Sequence, residues 1–313
     1  MRMPMAVSGQ TLTAEQEQQF KYYFYQARED FANRRYAEAL PQLLFCETLN
    51  PNDGQTKEYI GLIYLLTRQT GKATEYLKAA NDIAPKTLWY NYLQLIPQEN
   101  KKDRIAVLEQ AANGNPKDED IWSLYVEELV NQEEFSKALK AQDKLDKIKG
   151  NDIYSVATRH YVYMRLRQYK KALKVVNDYL ELEPRDTRVR KLQIQTLTIS
   201  QAKWKVLEKA YKDYMQYDQY DLTILNDYAY SMAINGGDLQ KAESMSATTI
   251  REQPNNPTFL DTYAWILHLK GQDSLALFYM NKAIDNVDSQ DVQNAKVLNY
   301  HRDKITQSLQ KNK

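Results

Sequence analysis

The sequence predicts an all-α fold: a right-handed α-solenoid of about eight helical hairpins closed by a C-terminal capping helix. Two observations carry that expectation. Helix-favouring Ala, Leu, Gln, Lys and Glu dominate, and only nine glycines and nine prolines punctuate 313 residues. Prolines and small residues also return on one beat. Pro51 and Pro85 stand 34 residues apart, Pro116 and Pro184 twice that, and the pairs Ala39–Ala73, Ala138–Ala172 and Ala242–Ala276 are each 34 apart. A fixed period of this size marks stacked units that bury their apolar faces only against their neighbours.

Taken in chain order, residues 1–19 read as a tail. Met3 to Gln10 is similar to the end of a signal peptide, with small residues at Val7 and Gly9, but it lacks the apolar core that an export signal needs. A clipped export signal and a plain tail both remain open, which leaves the location either periplasmic or cytoplasmic. Residues 20–288 hold the hairpins. The first, second, seventh and eighth are regular. The third is short and carries Pro97 near the end of its first helix, and the fourth to sixth place Val126, His160 and Ile194 where a small residue is expected. The seventh has Gly236 and Gly237 in its turn. Residues 289–313 read as a capping helix and polar tail, with Val292, Ala295, Leu298 and Ile305 covering the eighth hairpin.

A 34-residue helix–turn–helix with small residues where its helices cross and a closing proline resembles the tetratricopeptide repeat. Gly61, Tyr64, Ala73, Ala80 and Pro85 carry the resemblance in one repeat. Tyr263, Ala264, Ala276 and Ala283 carry it in another, and Ala27, Tyr36, Ala39 and Pro51 in a third. The stretches Leu225 to Tyr230 and Leu260 to Trp265 resemble the repeats of bacterial envelope members of that family, which implies a bacterial and exported adaptor.

The resemblance implies that the first helix of each repeat lines a concave groove. Phe24, Arg28, Trp89, Tyr161, Arg188, Lys191, Asn226, Tyr230, Trp265 and His268 are the candidate partner-binding residues. Arg188 and Lys191 beside aromatic side chains suit a carboxylate or an acidic segment. The alternative is that these aromatics pack between repeats and the charges are merely solvated. Family members that clamp a chaperone's C-terminal carboxylate use Lys, Asn and Arg at set groove positions. Lys191, Gln195 and Asn226 fit part of that pattern, but Thr258 and Thr262 stand where cations are needed, so the clamp is incomplete.

Other classes find little support. Lys+Arg of 42 against Asp+Glu of 41 gives a net charge of +1, without the basic excess of a nucleic-acid binder. The longest apolar run, Tyr59 to Leu66, is far too short to span a bilayer. Cys46 is the single cysteine and excludes an intrachain disulfide. His160, His268 and His301 lack a second ligand at metal spacing, and neither a phosphate loop nor a nucleophile elbow is present. No cofactor, metal or catalytic role is therefore expected. The sequence reads as a scaffold that takes a peptide or helix of another protein in its groove. A small-molecule or glycan site in an aromatic concave pocket, where Tyr, Trp and Asn could stack on sugar rings, is the alternative, and self-association stays open.

Overall fold

The computed structural model describes residues 12–311 and contains 17 helices and no strands among them. They run as consecutive pairs. The first four pairs are α1 (Ala14–Ala32) with α2 (Tyr36–Leu49), α3 (Gly54–Leu66) with α4 (Thr70–Ile83), α5 (Trp89–Leu95) with α6 (Lys101–Gly114), and α7 (Glu119–Asn131) with α8 (Phe135–Lys149). Then follow α9 (Ile153–Arg165) with α10 (Tyr169–Leu182), α11 (Thr187–Ile199) with α12 (Trp204–Met215), α13 (Leu222–Ile234) with α14 (Leu239–Glu252), and α15 (Pro257–Leu269) with α16 (Asp273–Asn286). A single helix, α17 (Val292–Lys311), ends the order. The expected fold class, eight hairpins and a cap, is the one observed. Helix α1 starts at Ala14, ahead of the Phe20 boundary read from the sequence, because Thr13 and Gln16 form a reciprocal capping box there. The signal-peptide reading of Met3 to Gln10 lies outside the described residues.

Two devices set the hairpins. The first is the step from one hairpin to the next. In Asn50-Pro51-Asn52-Asp53, Asn115-Pro116-Lys117-Asp118, Glu183-Pro184-Arg185-Asp186 and Gln253-Pro254-Asn255-Asn256, the fourth residue's N–H donates to the first residue's carbonyl at 3.1–3.2 Å. Proline suits the second position of such a turn. The fourth residue then caps the next helix, its side chain accepting backbone N–H groups. The second device is the turn inside a hairpin, where Arg34, Arg68, Glu133, Arg167, Gln201, Gly236 and Gly271 all have positive φ. Five of these seven are not glycine, so the packing of the hairpin holds them in the left-handed region against its steric cost.

Small residues let the paired helices approach. A Cβ on Gly61 would meet the Leu77 side chain at 2.7 Å and its backbone nitrogen at 3.1 Å. Ala27, Ala39, Ala73, Ala80, Ala138, Ala172, Ala242, Ala264, Ala276 and Ala283 are fully buried. Val126, His160 and Ile194, which replace the small residue, are buried as well. His160 keeps its polarity satisfied by a 2.7 Å contact between Nε2 and Thr196 Oγ1, and burial lowers its pKa. The third hairpin is the irregular one: α5 has seven residues and ends at Leu95, before Pro97, as proline disfavours helix in the residue ahead of it.

The chain forms two compact units, one ending at Ser155 and one starting at Val156, each with two apolar cores. In the N-terminal unit one core joins α1 to α4 around Leu43, Cys46 and Ile60, and the other joins α4 to α8 around Leu108, Trp122 and Leu129. Burial pushes the Cys46 thiol up to about 11, leaving it an inert packing group. In the C-terminal unit, Tyr211, Tyr214, Tyr228 and Met232 centre one core, and Leu260, Leu267, Met280, Leu298 and Ile305 the other. Leu298 and Ile305 cover the eighth hairpin as expected. Val292 does not, being 59% exposed in the first turn of α17.

Candidate functional site

In the C-terminal unit, a cavity of about 470 Å³ opens between α11 and α13, first helices of successive hairpins, with Tyr211 of α12 among its lining. Leu192, Ile194 and Ile199 supply one apolar wall, and Ile224 and the Tyr230 ring the other. Lys191, Gln195, Thr198, Asp227 and Ser231 add polar groups. The periods of the two helices explain this lining: residues three and four apart on α11, and again on α13, share one face.

Its electrostatics follow from who is paired. The Lys191 ammonium sits 2.6 Å from an Asp221 carboxylate oxygen. Asp221 also caps α13 and accepts the Tyr214 hydroxyl at 2.7 Å, and these contacts hold its pKa below the usual range against the opposing effect of burial. Asp227 has no such cation. Solvent reaches its side chain from the cavity mouth, yet the crowded walls desolvate the carboxyl and raise its pKa. The charge of Asp221 raises it further, while a hydrogen bond from Asn226 opposes both. The Asn226 side-chain amide oxygen, Oδ1, is itself buried without a partner. On the inner side, Tyr211 stacks on Tyr228 with centroids 4.9 Å apart and its hydroxyl lies 3.2 Å from Ser231 Oγ. The cavity therefore offers an apolar trough with one unneutralised carboxylate.

The helix order and the hairpin packing match those of solved repeat proteins. The C-terminal part of a TPR repeat-containing protein from Cytophaga hutchinsonii superposes with a TM-score of 0.51 at 16% identity, covering 78% of this chain and 98% of that one. The fold is that of the tetratricopeptide repeat. YrrB, a TPR protein with an unusual peptide-binding site, gives a TM-score of 0.48 at 18% identity over 62% of this chain and 97% of its own. Yeast Tom70 gives 0.48 at 11% over 97% and 67%. At such identities the likeness establishes the fold and nothing finer. No family model matches the chain, and no curated protein matches it in sequence.

The tetratricopeptide frame separates the ten residues singled out from the sequence. Lys191 and Tyr230 meet in the cavity, while Asn226 lies buried beneath it at 2% exposure. Arg188 instead turns back on its own helix cap, holding Asp186 at 2.8 Å. Both cations of the expected carboxylate anchor thus have intrachain partners. Trp265 and His268 belong to a second cluster: Trp265 stacks on His301 at 4.2 Å and lies 5.0 Å from His268. In the N-terminal unit, Phe24 and Trp89 are buried in the two cores, and Arg28 lies exposed over Phe24 and Tyr59, 5.9 Å from each ring. Tyr161 is exposed, its hydroxyl accepting from Arg165 at 2.7 Å.

The Trp265 cluster contains Ser, Asp and His together, which invites a catalytic reading. Asp273 receives both groups, His268 Nδ1 at 2.5 Å and Ser308 Oγ at 2.6 Å. A nucleophile has to touch its base directly, whereas here the carboxylate stands between the two. His301 likewise rests on Asp261 at 2.7 Å, tying α17 to α15. Among the described residues no group of three or more His, Cys, Asp or Glu could hold a metal ion, and none of their helices is long and apolar enough to cross a membrane. Asp221 and Asp227 were missed by the sequence reading. The signal for Asp221 was its place as a capping acid just ahead of the apolar run from Leu222, but nothing local marks Asp227 as the unpaired acid.

Proposed function

We propose that the chain is a protein-interaction scaffold that receives a peptide segment of another protein in the cavity between α11 and α13. The observation that carries this reading is the shape and polarity of that cavity. Its apolar walls would take the stem of a side chain, and Asp227 would take a basic tip, so a lysine or arginine flanked by apolar residues is the segment that fits. The acidic segment first expected from Arg188 and Lys191 fits less well, since each is neutralised within the chain. A small molecule is also less favoured. Lys191, Gln195, Thr198, Ile199 and Asp227 are all exposed, which makes the site a trough, whereas small-molecule sites enclose most of their ligand.

The test is a selection of random displayed peptides on the intact chain, with the enriched peptides then titrated against wild type, Asp227→Asn and Tyr230→Ala. Enrichment of basic–apolar peptides whose binding falls in both variants supports the reading. Enrichment of nothing, or of peptides indifferent to both changes, removes it.

A further inference from the structure

The N-terminal unit carries a second feature on the opposite type of helix. Two adjoining cavities, about 310 and 660 Å³, lie between the second helices α6 and α8, and Trp122 of α7 and Lys144 of α8 line both. Lys137 and Lys140 line the first, and Lys117 and Lys147 the second. All five lysines are exposed, and none makes an ion pair among the described residues. Lys144 Nζ lies over the indole, 4.8 Å from its centroid. Trp122 is 3% exposed, and its indole N–H is buried without a hydrogen-bond partner.

These facts are unusual together. Four of the lysines fall on α8 at intervals of three and four residues, which is one helix face, and like charges so placed repel. One acid, Glu109, lines the first cavity and accepts the Tyr125 hydroxyl, and the lysines around it outnumber its charge. Asp143 borders this face, four residues before Lys147, while Asp146 stands off it by the helix rotation and accepts from Gln142 at 2.7 Å. An unpartnered buried donor under a row of unneutralised cations lacks one thing, an acceptor carrying negative charge.

We propose that the α6–α8 cleft binds an acidic peptide segment of a protein partner, with a carboxylate seated between Lys144 and the Trp122 indole N–H. The lysines on α8 span about 15 Å at the helical rise, which an extended segment covers with about five residues. That elongated layout suits a run of carboxylates better than one phosphate group. The net charge of +1 for the whole chain argues against nucleic acid, whose binders carry a wider basic field. This site is separate from the α11–α13 cavity and stands or falls independently of it.

The experiment is fluorescence anisotropy with a labelled Asp/Glu-rich peptide on the intact chain at low salt. A Lys-rich peptide, a single-stranded oligonucleotide and inorganic pyrophosphate serve as comparison probes. The expected result is saturable binding of the acidic peptide that weakens about tenfold or more in Lys140→Glu/Lys144→Glu. Neutral Lys140→Gln/Lys144→Gln should weaken it less, and Trp122→Phe, which keeps an aromatic ring but removes the N–H, several-fold. The altered lysines are exposed, and an unchanged helical circular-dichroism signal shows that the variants fold. No binding of the acidic peptide, equal binding by the charge-reversed variant, or tighter binding of the oligonucleotide or pyrophosphate overturns the proposal.

Discussion

Lys191 Nζ lies 2.6 Å from a carboxylate oxygen of Asp221, so the cation of α11 is neutralised by the cap of α13, 30 residues further along the chain. That pair transfers the cavity's selectivity to Asp227. Removing the Asp227 charge by Asp227→Asn should weaken a bound basic peptide about tenfold or more, the range of a charge-assisted hydrogen bond. Lys191→Gln should change the melting temperature little, because Lys191 is half exposed and solvent screens the pair. Titration calorimetry and thermal unfolding of the two variants check both halves.

Gly61 and Gly71 should respond oppositely to alanine. At Gly61 the new Cβ collides with Leu77, including its backbone nitrogen, and Gly61→Ala should cost about 1–3 kcal/mol, as overpacking of a core does. At Gly71, in the first turn of α4, nothing lies within 4 Å. Gly71→Ala should stabilise by about 0.4–1 kcal/mol through the unfolded chain's lost freedom. Denaturant melts of the two variants give the comparison directly.

Arg104 and Glu128 form a two-pronged pair, Nε to Oε1 and Nη2 to Oε2, both at 2.9 Å, and Arg104 also donates to the Ile96 carbonyl at 3.0 Å. Their side chains are only 11% and 8% exposed. Glu128→Gln strands the guanidinium and should cost about 3 kcal/mol at neutral pH. The Arg104 hydrogen bonds lower the Glu128 pKa in the fold. The stability this adds is complete above the unfolded glutamate value of about 4.3 and is lost as pH falls through the lower folded value. The gap between wild type and Glu128→Gln should therefore narrow below about pH 4, as melts across acidic pH would show.

Leu298 is fully buried in the core that α17 shares with α15 and α16. Leu298→Ala should destabilise the C-terminal unit by about 2–5 kcal/mol. Hydrogen exchange should report the loss first on α15 to α17, whereas Val292→Ala, on an exposed side chain, should leave it unchanged.

What could be read from the sequence was whatever repeats locally. Ala39, Ala73 and Gly61 mark helix crossings, and Pro51, Pro116, Pro184 and Pro254 mark the steps between hairpins. Each depends on residues within one period. The pairings were hidden because stacking joins positions 30 to 40 residues apart, as in Lys191–Asp221 and His301–Asp261. The turns inside hairpins were hidden for another reason. Arg34, Arg68, Glu133, Arg167 and Gln201 take positive φ without being glycine, so composition gives no hint. The lysines of α8 were hidden because a second helix carries none of the expected groove positions, and Trp122 because it sits on the first helix α7 yet lines the cavities beside α6 and α8. Tyr211, Tyr214, Tyr217 and Tyr220 recur every three residues and divide where α12 ends at Met215: the first two are buried, the last two exposed.

The most direct test of a peptide-binding trough is to find where a bound peptide lies. A display-selected peptide carrying a photoreactive phenylalanine analogue next to its basic residue should be crosslinked to the intact chain, and the adduct mapped by mass spectrometry. Adducts are expected on α11 and α13 around Ile199, Ile224 and Tyr230, competed by unlabelled peptide and lost in Asp227→Lys. Competed adducts that fall elsewhere, or that survive Asp227→Lys unchanged, would contradict it.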